Sequence, residues 1–149
     1  LITEVQIGDS ANKPITKDME RTFVDVHCTD QKKNKYIIEM QVEDEKNFAQ
    51  RSQFYASFFL ARQLERKKTA YGDLVPVIFV GVLDFNLFKD DPDYISHHGI
   101  MNFKTKKRTL NHLEWHFIEL KKFSKELDEF STTLEQWTYF LKHASEVSQ

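Results

Sequence analysis

At 149 residues, the chain suits one domain of ordinary size, and 40% apolar residues can build its core. A net charge of −2 neither requires nor excludes a polyanionic partner, because local patches decide that. Four Gly and three Pro exclude a low-complexity chain, the single Cys28 excludes a disulfide framework, and the longest apolar run is too short to cross a bilayer as a helix. A lone cysteine and no visible signal peptide fit a reducing, cytoplasmic setting with no membrane contact.

Residues 1–7 alternate loosely through Ile2, Val5 and Ile7 and read as a strand. Because Leu1 opens in mid-strand, the natural protein is expected to begin earlier. Residues 8–14 have loop chemistry. Residues 21–30 form a second strand, with Phe23, Asp25 and His27 on one face and Val24, Val26 and Cys28 on the other. A polar stretch then leads into a third strand over 36–42, so the two should pair as an antiparallel hairpin. From 45 to 68 the period becomes helical: Phe48, Ser52, Tyr55 and Phe59 share a stripe, with Ala56, Leu60 and Leu64 beside it. Residues 75–85 are a continuous apolar run, the mark of a strand buried on both faces. Further strands are expected over 97–105 and 112–120. A helical pattern returns from Lys122, and Thr132 or Thr133 caps a last helix with Leu134, Trp137, Phe140 and Leu141 on one face. The expected architecture is α/β, helices on a mixed sheet, in one domain over 1–149 with 122–149 as a C-terminal helical extension.

The third strand carries Glu39 and Gln41 among Tyr36, Ile37, Ile38 and Met40. A spacing of two residues sends both side chains to one face. If the hairpin pairs His27 with Ile37, Asp25 lies opposite Glu39 on that face, with Cβ atoms roughly 4.5–5.5 Å apart. Two bare carboxylates that close repel, and a divalent cation between them removes the cost. Mg²⁺ takes one or two protein carboxylates plus waters, and a metal-bound water is a readier nucleophile. Gln41 would orient that water or a phosphate oxygen. Solvent-face acids without a metal remain the alternative.

Asp25, then thirteen residues, then Glu39-Met40-Gln41 resembles the PD-(D/E)xK nuclease core, with Gln41 where Lys usually stands. In order, ITEVQI, FVDVHCTD, YIIEMQ, RSQFYAS, YGDLVPVIFVGVLDF and IELKKF resemble the PD-(D/E)xK family transposases, the recombination-promoting nucleases, over roughly residues 2–123. The resemblance implies a restriction-endonuclease-like mixed sheet flanked by helices, whose first core helix would precede Leu1. It implies Mg²⁺-dependent DNA endonuclease activity linked to transposition or recombination, with Mn²⁺ able to substitute and no small-molecule cofactor. Asp25, Glu39 and the Met40 carbonyl would hold the metal, and Gln41 would position water or phosphate. A double-strand cut calls for two active sites and so implies a homodimer. The alternative is a catalytically inactive relative that binds DNA or protein.

Arg51 matches the family's R-S and is a phosphate contact or a surface partner of Glu43 or Asp44. Lys104, Lys106, Lys107 and Arg108 form a basic run suited to DNA phosphates or to solvent. His27 is a base or a satisfied sheet residue, and Tyr55 is expected in the core. His97, His98, His112 and His116 lack zinc-ligand spacing and read as structural or exposed.

Overall fold

The computed structural model describes residues 1–7, 26–65 and 70–144. Among these residues, six strands form one mixed sheet: β1 (Ile2–Ile7), β2 (Val26–Asp30), β3 (Lys35–Gln41), β4 (Val77–Leu83), β5 (Ile95–Ile100) and β6 (Leu110–Glu119). Their spatial order is β1-β2-β3-β4-β6-β5. The helix α1 (Phe48–Arg62) connects β3 to β4, and α2 (Thr133–Lys142) follows the sheet. Strands β1, β2 and β3 form an antiparallel meander. Strands β3, β4 and β6 run parallel, and β5 lies antiparallel on the outer edge of β6. The parallel step from β3 to β4 is where α1 sits, as a parallel connection requires a crossover.

The β2–β3 register sets His27 opposite Ile37 and Val26 opposite Ile38, the pairing supposed from the sequence. Asp30 fixes the hairpin turn. Its carboxylate accepts hydrogen bonds from the backbone N–H of Lys32 and Asn34, the Asn34 amide and the Tyr36 hydroxyl. Lys33 takes the positive φ of 67° that the tight turn needs.

Across the parallel strands the rows are Ile37–Phe79–Trp115, then Glu39–Gly81–Phe117, then Gln41–Leu83–Glu119. These residues face α1. Phe48 enters this layer at the start of the helix, with ring centroids 6.1–6.3 Å from those of Phe79, Phe85 and Phe117. The excess of Phe builds this core, where edge-to-face rings add to the burial of large apolar surfaces. Gly81 makes room for it: a Cβ there would lie 2.9 Å from the Phe117 ring. Trp115 locks the helix to the sheet by donating its indole N–H to the Ser52 carbonyl at 3.1 Å. Past the helix, the Gln63 side chain donates to the Val75 carbonyl and accepts from the Val75 N–H, which aims the chain into β4.

Several elements differ from the sequence reading. The α1 helix starts at Phe48, not 45, because Asn47 adopts φ 66° and breaks helical continuity. Its Phe58, off the predicted stripe, is also buried, against Phe54 and Phe59. Strand β4 is fully buried only toward α1, since Ile78 and Val80 on its other face are half-exposed. Strand β5 begins earlier than expected and ends at Ile100, where the Asn102 carboxamide caps a tight turn by accepting from the N–H of Lys104 and Thr105. The stretch after β6 holds two short 3-10 turns, Leu120–Lys122 and Leu127–Glu129, in place of a helix. Thr132 caps α2 as predicted, accepting from the Glu135 N–H. The helix turns Glu135 and Thr138 inward and leaves Leu134, Trp137 and Phe140 exposed, so this apolar face does not pack on the sheet. Among the described residues, no helix is long and apolar enough to cross a membrane.

Candidate active site

Glu39 lies near the C-terminal end of β3, on the α1 face, and is only 4% exposed. A carboxylate is rarely so buried without compensation. Two residues later on the same face, Gln41 donates its amide to Glu39 Oε1 at 3.0 Å. From the first turns of α1, Arg51 brings its guanidinium to 3.5 Å from the same oxygen. Arg51 also pairs with the exposed Glu45 just before the helix, and it stands over the Phe48 ring at 5.3 Å. The local sequence explains this placement. Strand alternation puts Glu39 and Gln41 on one face, and the helix that crosses that face starts near enough for its fourth residue to reach them.

The partners of Arg51 are therefore Glu39 and Glu45, where the sequence reading named Glu43 or Asp44. Met40 points to the opposite face and is half-exposed. Asp25 lies outside the described residues. His27 shares the face of Glu39 and packs edge-on against Phe59, with centroids 4.5 Å apart. Burial, with the charges of Lys35 and Arg62, lowers its pKa and favours the neutral ring. No described residue hydrogen-bonds its Nε2. Cys28 points away from this face and is buried, which pushes its thiol pKa up. Tyr55 packs at the edge of the core, as expected.

A mixed sheet flanked by helices, with Glu39 and Gln41 on one face, is the arrangement the sequence motifs anticipated, and the family model of the PD-(D/E)XK nuclease family transposases matches residues 1–149. The chain belongs to that family. No curated protein and no solved structure matches it. For a PD-(D/E)XK family member, the six-stranded α/β architecture is the restriction-endonuclease-like fold. The family supports a nuclease-like function with DNA as substrate, and its nucleases typically use divalent metals.

The basic run occupies a different region of this nuclease-family fold. Lys104, Lys106 and Lys107 lie exposed on the turn between β5 and β6. That turn precedes β6, whereas Glu39 is level with Phe117 near the other end of the strand. Seven residues of strand separate Leu110 from Phe117, roughly 20 Å. Arg108 is engaged locally and donates to Glu114 at 2.8 Å.

The face opposite α1 holds a cluster the sequence reading missed. His97 and His116 are direct partners across β5 and β6, and Glu114 lies two residues before His116 on the same face. Glu114 Oε2 is 3.1 Å from His97 Nε2 and 3.5 Å from His116 Nε2. The two rings stack with centroids 4.1 Å apart. Burial pulls the Glu114 carboxyl upward, yet hydrogen bonds from Arg108 and His97 outweigh it and hold the carboxyl below the usual range. The E-x-H spacing within β6 already implied one shared face. What the sequence did not contain was the identity of the neighbouring strand.

Proposed function

We propose that this chain is a divalent-metal-dependent DNA endonuclease of a transposition or recombination system, with its centre at the end of β3. The observation that carries the reading is the buried Glu39 carboxylate, bridged to Gln41 and faced by a cationic side chain from the crossover helix. The β2–β3 register, carried one residue beyond Val26 and Ile38, would set Asp25 opposite Glu39. Asp25, Glu39 and the Met40 carbonyl would then supply an all-oxygen donor set of the kind Mg²⁺ takes, with Mn²⁺ as substitute. The buried carboxylate already sits beside a guanidinium, so the site is built to face positive charge. When bound, the ion supplies Lewis-acid stabilisation of the phosphoryl oxygens and an acidified water.

The chain's own residues would then act as follows. Gln41, an uncharged amide, orients the attacking water or a phosphate oxygen. Arg51 is shared between Glu39 and Glu45. From this position at the start of α1, its guanidinium would make a charge-assisted bond to the scissile phosphate. Lys104, Lys106 and Lys107, exposed on the turn before β6, would meet the DNA backbone away from the cut, with Arg108 held at Glu114 beside them. The unit would act as one nuclease-like domain, and as a homodimer where both strands are cut.

The test is a plasmid-nicking assay paired with a binding assay at one fixed salt concentration. Cleavage is expected with Mg²⁺ and not with EDTA. Asp25→Ala and Glu39→Ala should each reduce it roughly 100-fold or more, at least the upper end of the loss seen for groups that only support a metal ligand. Gln41→Ala should slow cleavage while preserving the Mg²⁺-induced rise in melting temperature. DNA binding without cleavage by the wild type, across several divalent ions, would establish a non-cutting relative instead.

A further inference from the structure

We propose that His97, Glu114 and His116 form a transition-metal site for Zn²⁺ or a similar late first-row divalent ion, on the opposite face of the sheet from the nuclease centre. The separation of faces follows from β6 itself. Phe117 packs into the core beneath α1, so its neighbour His116 points the other way.

The geometry suits one ion. The three ligand atoms all lie within 4.8 Å of one another. Four-coordinate zinc with bonds of about 2.0–2.1 Å has ligand-to-ligand edges near about 3.4 Å. The two His–Glu separations, 3.1 and 3.5 Å, bracket that edge. The imidazole planes are 18° apart in their stack. Bringing both Nε2 lone pairs onto one point requires each ring to turn about χ2, which is a broad torsion.

The ligands also sit on a prepared frame. All three project from paired strands, with His97 directly opposite His116. Arg108 holds the other carboxylate oxygen, Oε1, at 2.8 Å and leaves Oε2 toward the two imidazoles. Gly99, the partner of Glu114 across the strands, leaves the space that Arg108 fills: a Cβ there would come within 2.9 Å of the guanidinium carbon. The Arg108 charge opposes a second cation, but it is directed at the oxygen the ion would not use.

Ligand chemistry separates this site from the nuclease centre. Two imidazoles and a carboxylate suit Zn²⁺, Ni²⁺ or Cu²⁺, whereas an all-oxygen set suits Mg²⁺. Three protein ligands leave a fourth position for water. His97 is about half-exposed, so an ion can enter from solvent. A bound ion would clamp the edge strand β5 onto β6, the one strand beside it among the described residues.

Equilibrium dialysis of the full chain against Zn²⁺, with excess Mg²⁺ present to occupy oxygen-only sites, tests this. One retained Zn²⁺ per chain is expected. His97→Gln should weaken retention tenfold or more, as should Glu114→Gln. Co²⁺ should give visible ligand-field absorption that His116→Gln removes. Because His97 is half-exposed, His97→Gln should keep the parent circular dichroism, which separates lost binding from lost folding. No Zn²⁺ retained by the wild type overturns the proposal. Undiminished retention in a folded His97→Gln, Glu114→Gln double variant overturns it equally.

Discussion

Two buried glutamates on the α1 face of the sheet have opposite settings. Glu119, at the end of β6, is fully buried. It accepts a hydrogen bond from the Phe88 N–H at 3.1 Å and pairs with Lys122 Nζ at 2.7 Å. Lys122 is itself buried and also donates to the Phe88 carbonyl at 2.8 Å, so the carboxylate, the ammonium and the loop after β4 form one closed unit. Glu39, one row away across β3 and β4, faces its guanidinium at the longer distance of 3.5 Å. That guanidinium also bonds the exposed Glu45. The difference separates a charge locked into the fold from one that, in the proposed site, would exchange its partner for a metal ion. A carboxylate locked to a buried ammonium has no use for a metal ion. One sharing a partly exposed guanidinium with a competitor can give it up.

Removing each carboxylate should expose this difference most strongly. Glu119→Gln leaves Lys122 buried beside a neutral amide and should destabilise the protein by about 3–5 kcal/mol, read by urea unfolding. Glu39→Gln should cost only about 1 kcal/mol and should instead abolish the stabilisation by Mg²⁺. In the parent, an ion bound only by the folded state would add about 2.7 kcal/mol at 100 times its Kd. Equal losses of stability in the two variants would break the comparison.

Gly81 lies in the row that joins Glu39 to Phe117. Gly81→Ala forces its methyl against the Phe117 ring and should cost about 1–3 kcal/mol. Because the strain falls between β3 and β6, cleavage should decline with it. A stable variant with unchanged cleavage would show that the site tolerates a shift in this row.

A third carboxylate sharpens the contrast through pH. Glu135 is hydrogen-bonded by Lys125, by Ser131 and by the Thr132 N–H, and these bonds bring its pKa down from 4.5 to about 2. A depressed folded pKa means that its contribution is complete above the ordinary value of 4.5. The contribution is lost as pH falls from there toward 2. Glu135→Gln should flatten that part of the stability–pH curve measured by denaturant melts. Thr132→Ala, which removes the reciprocal cap of α2, should cost about 1 kcal/mol.

The smallest effect on stability should come from Arg51. Its pair with Glu45 is at the surface, where such pairs contribute about 0–1 kcal/mol. Arg51→Gln should therefore leave the melting temperature nearly unchanged while lowering the rate of nicking. A large loss of stability would instead make Arg51 a structural partner of Glu39, like Lys122 for Glu119.

Local periodicity alone determined a good part of this protein. Alternation in the strands sent Glu39 and Gln41 to one face and Cys28 to the other, and the polar stretch between two such runs located the hairpin. Helical spacing located α1, and Thr132 marked the start of α2. These features depend on contacts between residues close in the chain, or on the fixed period of a strand or helix. What lay beyond that reach was decided by tertiary structure. Leu134, Trp137 and Phe140 make an apolar stripe, yet the ion pair of Lys125 with Glu135 and the inward Thr138 turn the other side of α2 to the protein. Glu119 reads as an ordinary polar strand end until the loop after β4 folds over it with Lys122. His97 lies far along the chain from Glu114 and His116, and no spacing rule joins them. They meet because β5 pairs with β6 in the register that sets His97 opposite His116, and a strand's period assigns faces but not register.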